Sequence, residues 1–248
     1  MASSVDFPEP EAPTTATTSP GMTARSISRR ITRSASPLFT VLPMPRAART
    51  LVACLFMCLS FGAWGKTVLV FGDSLSAAYG IAAKRGWVAL LAERLQREQP
   101  DYSVVNASIS AETTAGGVSR LPRALARHKP AVLILELGAN DGLRGLPVKA
   151  MESNLGAMIA MAKNAGARVL LVGMRVPPNY GPEYTDEFAA AFARLARTHK
   201  SALAPFLLDG VAEDLSLFQP DRIHPTEGAQ PILLDTVWKA LRPLLRSP

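Results

Sequence analysis

The stretch VFGDSLSAAYG, residues 70–80, ends a short apolar run in Gly-Asp-Ser and continues in small residues with a helix-like pattern. Residues 67–71 are β-rich, so the run reads as a strand, and Ser74 stands where that strand stops. A serine at this point has two explanations. It caps a helix, since Ser is a favoured N-cap residue, or it is a nucleophile. Only partners elsewhere in the chain separate the two.

Outward from this stretch the chain alternates. Apolar residues at helical spacing (Trp87, Leu90, Leu91, Leu95) predict a helix over 87–96. Residues 102–105 are strand-like, 121–126 helical, and AVLILEL at 131–137 is a nearly continuous apolar strand. Helices over 151–165 and 184–198 bracket a strand at 168–172. A weak strand at 202–207 and a last helix over 227–245, disturbed by Pro231, complete the order. Apolar strands separated by helices imply a parallel sheet covered on both faces. Five such strands give a three-layer α/β/α sandwich, with no internal repeat and no second folded domain. Ligands of such sheets bind beyond the carboxyl ends of the strands. Those ends carry residues 72–74, 106–112, 138–142 and 175–180.

A serine hydroxyl needs an adjacent base to act as a nucleophile, and the chain has three histidines. His128 and His199 fall at helix ends, where a cation suits the helix dipole. His224 instead lies in QPDRIHPTEG, a loop held extended by Pro225. Asp221, three residues earlier, is within reach of its imidazole if the loop turns. That carboxylate would fix the tautomer and stabilise the imidazolium, as in a Ser-His-Asp system. The alternative for the segment is a polar loop ahead of a helix capped by Thr226. An acyl-transfer site also needs donors for a developing oxyanion. Asn140 follows the central strand, although Asn-Asp-Gly is also a turn signal. Ser74 would add its own N–H, and the loop after the second strand a third donor.

Taken together, the blocks GDSLS, NASISAETTAGG, GAND and DRIHP resemble those of the SGNH (GDSL) hydrolases, from about residue 66 to 245. VVNASIS, LELGANDGLRG and NYGPEY are similar to the group of periplasmic thioesterase I, lysophospholipase L1 and arylesterase. The resemblance implies a flavodoxin-like sheet of order 2-1-3-4-5. It implies Ser74 as nucleophile, His224 as general base and then acid, and Asp221 as the residue that orients His224. It implies an oxyanion hole of the Ser74 N–H, the N–H of residue 111 and the Asn140 amide. The family pattern has glycine at residue 111 and this chain has Ala111. Alanine keeps the N–H and loses easy access to positive φ, so a negative φ is expected here. Leu143, Leu146, Val176, Pro177 and Tyr180 lie on loops at the same edge and would line an acyl groove. Arg144 reads as a solvated charge or as a contact for an anionic head group, and Asp73 as structural.

The expected activity is hydrolysis of fatty-acyl, aryl or lysophospholipid esters and thioesters. A carbohydrate acetylesterase of the same fold and a non-catalytic lipid-binding module are the alternatives. No cofactor and no metal is expected, since no His/Cys cluster follows residue 65. The chain has 248 residues and a formal net charge of +7, of which residues 66–248 carry +4, spread along the sequence. No basic stripe with interleaved aromatics marks a nucleic-acid partner. A mildly basic surface would suit an anionic substrate or transient contact with a membrane surface.

Residues 1–43, rich in Pro, Ser, Thr and Ala, are too polar to fold alone and read as disordered or as an over-extended start before Met44. Residues 44–65 pair Arg46 and Arg49 with a thirteen-residue apolar run, 51–63, and small residues at Ala63 and Gly65. This is the layout of a secretory signal peptide, short of the roughly 20 residues that span a bilayer. An uncleaved anchor is the alternative. Cleavage near Gly65 would export residues 66–248 to the periplasm or outside and remove Cys54 and Cys58. Leu51-Val52-Ala53-Cys54 resembles a lipoprotein box, but almost no apolar run precedes it.

Overall fold

The computed structural model describes residues 65–245. The leader, with Cys54, Cys58 and the cleavage site expected near Gly65, falls almost wholly outside them. Five strands form one parallel sheet in the order β2-β1-β3-β4-β5. They are β1 (Lys66–Gly72), β2 (Tyr102–Asn106), β3 (Val132–Glu136), β4 (Arg168–Val172) and β5 (Ala202–Ala204). The helices are α1 (Trp87–Glu98), α2 (Thr114–His128), α3 (Ala139–Leu143), α4 (Val148–Asn164), α5 (Pro182–Thr198) and α6 (Gln230–Leu245). Helix α1 packs on α6, and α2, α4 and α5 pack in series. Every residue of Val68 to Phe71 and of Val132 to Leu135 is fully buried. Side chains alternate between the faces of a strand, so such a run requires both faces to be covered. The expected three-layer order therefore holds.

Four local expectations change, each for a physical reason. No helix follows Ser74; residues 74–80 are turns, and it is the Asp73 carboxylate that accepts the Leu75 N–H at 3.0 Å. The side chain that closes this turn is thus one residue earlier than the serine. Helix α2 starts at Thr114, not 121, because Thr113 caps it and Gly117 lets the helix approach Leu137 and Met158. A Cβ at Gly117 would lie 2.6 Å from Leu137 Cδ1, so this glycine serves packing, not a break. Pro231 does not disturb the last helix. It is the second residue of α6, where a missing N–H costs nothing. Strand β5 ends at Ala204, ahead of Pro205, rather than at 207.

Long-range polar contacts complete helix ends that no local residue could. Gly86 precedes α1 and has no side chain to cap it, so the buried amide of Gln230 accepts the Trp87 N–H at 3.0 Å. Asp141 accepts the N–H and the hydroxyl of Thr114, fixing the start of α2 to the end of β3.

Candidate active site

Ser74, Asn140 and the His224 loop meet at the carboxyl edge of the sheet. Strands β1 and β3 are adjacent and in register, with Gly72 opposite Glu136. The residues that follow each strand are therefore neighbours. His224 Nε2 lies 2.9 Å from Ser74 Oγ, and His224 Nδ1 lies 2.7 Å from Asp221 Oδ2. The DRIHP loop achieves this with local bonds. Asp221 Oδ1 accepts the N–H of Ile223 at 2.9 Å and of His224 at 3.0 Å, while Arg222 sits at φ 58°. The three-residue spacing thus turns back on itself. The His224 N–H chiefly, against an opposing effect of burial and then with help from the imidazole and the Ile223 N–H, holds the Asp221 carboxyl down at about 2.

Gln219 ties this loop to the turn that bears Ser74. Its N–H donates to the His224 carbonyl, and its amide donates to the carbonyls of Tyr79 and Pro225. The Tyr79 ring rests on the imidazole, with centroids 4.4 Å apart.

Among the described residues, the N–H groups of Ser74 and Ala111 donate to no protein acceptor. Both are free for a developing oxyanion. Asn140 Nδ2 donates to Asp73 Oδ2 at 3.1 Å and to the Glu112 carbonyl at 3.0 Å. An oxyanion would compete with that carbonyl for one of the two N–H bonds. Asp73 is fully buried, and burial pushes its carboxyl up to about 6.

Ala111 overturns the expectation of negative φ: it stands at φ 62°. The left-handed conformation costs an L-residue roughly 1–2 kcal/mol. The loop has enough outside contacts to hold it. Arg144 donates to the Ala111 carbonyl, and Asn140 to that of Glu112. Arg120 pairs with the Glu112 carboxylate at 2.8 Å, donates to the Ala107 carbonyl and lies 3.9 Å over the Phe71 ring. Alanine therefore holds the backbone shape that glycine adopts without strain. Ala111→Gly is expected to change kcat/KM by less than about fivefold, under about 1 kcal/mol. Proline, locked near φ −65° and lacking the N–H, should cost about 10²-fold or more at this position. Steady-state kinetics on a short-chain ester check both, and a hundredfold gain with glycine would contradict the geometry described.

Of the residues expected to line an acyl groove, Leu146 and Pro177 are exposed and Leu143 is half-buried. Tyr180 is half-buried, and its hydroxyl donates to the Leu143 carbonyl at 2.6 Å, so it staples this loop. Val176 is a correction. It is 8% exposed and packs with Phe188 against Gly142, as part of the core. Tyr79 and Ile109 are also exposed at the same edge, and so is Ile223, an apolar residue expected to anchor its loop in the core, which is instead 46% exposed. Nothing in the sequence marks Arg120 and Arg144 as loop clamps, because each donates to a backbone carbonyl, of Ala107 and Ala111, that any residue could supply. Two surface depressions, of about 370 and 390 Å³, flank Arg175 and include neither Ser74 nor His224.

A hydroxyl, imidazole and carboxylate in series, beside free N–H donors on a doubly wound sheet, have the geometry of a serine hydrolase. The chain belongs to the GDSL-like lipase/acylhydrolase family, matched over residues 70–230. It is similar to esterase TesA of Pseudomonas aeruginosa, 49% identical over 199 residues that cover 80% of this chain and 99% of the relative. It is also similar to thioesterase 1/protease 1/lysophospholipase L1 of Escherichia coli, 41% identical over 72% of this chain and 85% of the relative. The structure resembles that of the psychrotrophic esterase EstA from Pseudoalteromonas sp. inhibited by monoethylphosphonate. There the identity is 40% and the TM-score 0.70, over 73% of this chain and all of EstA.

Proposed function

We propose that this enzyme hydrolyses carboxylic esters and thioesters through an acyl-enzyme on Ser74. The observation that carries the reading is the continuous series from Ser74 Oγ to His224 to Asp221, at 2.9 and 2.7 Å. His224 takes the Ser74 proton as the oxygen attacks the acyl carbon, then gives it to the leaving alcohol or thiol. Asp221, ionised, holds the Nδ1–H tautomer and stabilises the imidazolium. The N–H groups of Ser74 and Ala111 and the Asn140 amide receive the oxyanion. Water then enters, His224 removes its proton, and the same steps in reverse order release the acid.

Asn140→Ala should lower kcat by about 10²–10³ and leave KM nearly unchanged, the usual cost of one oxyanion donor. An unchanged kcat would make Asn140 a turn residue only. The experiment that tests the function is an assay of p-nitrophenyl esters of graded length beside an acyl-CoA and a lysophospholipid. A chain inactive on all of them would overturn the reading.

Fatty-acyl substrates are favoured by the exposed side chains of Tyr79, Ile109, Leu146 and Ile223, which stand on loops at the catalytic edge. Such apolar loop tips suit an acyl chain presented at a lipid surface. The lysophospholipase in the name of the Escherichia coli relative supports the same class. The alternatives of a carbohydrate acetylesterase or a non-catalytic lipid binder have no observation of their own in favour. We also infer export, with the mature chain beginning near Lys66, because β1 starts at Lys66. Mass spectrometry of the exported protein should find that N-terminus; a retained Cys54 or Cys58 would contradict it.

A further inference from the structure

Glu136 is a carboxyl that none of the steps above uses. It ends the central strand β3 and is fully buried. Among the described residues it joins no ion pair. One oxygen, Oε2, accepts the Ser76 hydroxyl at 2.6 Å and the Asp73 N–H at 3.3 Å. The other, Oε1, is buried with no partner.

Two features of the GDSLS stretch are shaped around this group. A Cβ at Gly72 would lie 2.5 Å from Glu136 Oε2 and 2.9 Å from the Glu136 carbonyl. No other residue fits there while the carboxyl stays in place. Ser76 is buried and spends its hydroxyl on Glu136. Asn106 takes the Ser76 carbonyl at 2.7 Å, so the turn is held from a second side. The strand that carries Glu136 runs on to Asn140, whose amide donates to Asp73.

The protonation state follows from the surroundings. Asp73 and Glu136 are buried neighbours with no cation between them, and two such carboxyls do not both ionise. Asp73 accepts two N–H bonds and faces His224, so the charge stays there. Burial first, and the Asp73 charge second, push Glu136 well above the usual carboxyl range. Glu136 is thus a neutral acid that works through its carbonyl-like oxygen.

We propose that Glu136 is a positioning residue that fastens the turn bearing Ser74 to the end of β3, from which the chain leads directly to Asn140 in α3, and so sets the spacing between the nucleophile and the oxyanion amide. This rests on Ser74 being the nucleophile. A displacement of about 1 Å at such a site costs about 10²-fold in rate.

The test compares wild type, Ser74→Ala, Ser76→Ala, Glu136→Gln and Glu136→Leu on p-nitrophenyl butyrate, with thermal unfolding of each. Glutamine keeps the size, the accepting oxygen and the neutral charge, so kcat should stay within about threefold of wild type. Leucine removes the acceptor, and kcat should fall about 10²-fold with KM changed by less than about threefold. Ser76→Ala removes one of the two bonds and should lower kcat by a smaller factor, about threefold to tenfold. Infrared spectra should show a protonated-carboxyl band that Glu136→Gln removes. The proposal falls if Glu136→Gln loses as much as Glu136→Leu, for then a charge is required. It falls equally if the leucine variant folds with an unchanged kcat. Should the leucine variant not fold, an unchanged kcat in Ser76→Ala overturns it and the expected loss supports it. Full activity in Ser74→Ala would instead remove the nucleophile assignment itself.

Discussion

Replacing Ser74 or His224 by alanine is expected to lower kcat by about 10⁶, close to 8 kcal/mol of transition-state stabilisation. The two losses should be nearly equal, and the double variant should be no worse than either. A serine and its base act as one unit, because neither the alkoxide nor the proton acceptor is of use alone. Here the unit is a hydrogen bond of 2.9 Å between Ser74 Oγ and His224 Nε2. The fold should survive both changes. Ser74 and His224 are only partly buried and lie on loops outside the core. Thermal unfolding should therefore shift little, and a fluorophosphonate should label wild type at Ser74 alone. Labelling at another residue, or ester hydrolysis by Ser74→Ala near the wild-type rate, would refute the assignment.

Asp221→Asn is expected to lower kcat by about 10⁴. An asparagine can present its NH₂ to Nδ1, and the imidazole then carries its proton on Nε2, facing Ser74, where a lone pair is required. The Asp221 carboxyl is held at about 2, so it is ionised throughout the ordinary assay range. The acid limb of the kcat/KM profile should therefore not report this acid. For stability, a folded-state value below the usual 3.8 means a contribution fully present above that pH. It fades as pH falls towards 2. Asp73 has the opposite sign: raised to about 6, it favours the folded state as pH falls from above 6 towards 3.8. In a pH series of unfolding, wild type should exceed Asp221→Asn in stability above about 4, and the difference should shrink as pH falls towards 2. A difference that persists undiminished near pH 2 would show that the loop, rather than the charge, had changed.

Much of this was legible in the residues. The β3 run AVLILEL is apolar because both faces of the sheet are covered, and every residue of Val132 to Leu135 is indeed fully buried. His224 stood apart from His128 and His199 because its flanking residues exclude a helix, whereas the other two close α2 and α5. Where the reading failed, the reason was a contact made from far along the chain. The helix expected over 121–126 begins at Thr114 instead, and its Gly117 lets it close on Leu137 and Met158. Val176 looked like groove lining, yet Phe188 draws it into the core. Ala111 looked safe at negative φ, since a lone alanine prefers it. Arg144, Asn140 and the Arg120–Glu112 pair hold that loop at φ 62°.

The sequence by itself determined the order of the elements, the parallel sheet and the edge at which the chemistry lies. Those follow from periodicity and turn chemistry, which act over a few residues. Only the tertiary structure decided the angles and partners that make the edge a site. It set the backbone of Ala111, gave Glu136 its place under the nucleophile's turn, and joined Gln219 to Tyr79 across 140 positions. Such contacts depend on which strands become neighbours, and burial then penalises every polar group left without a partner.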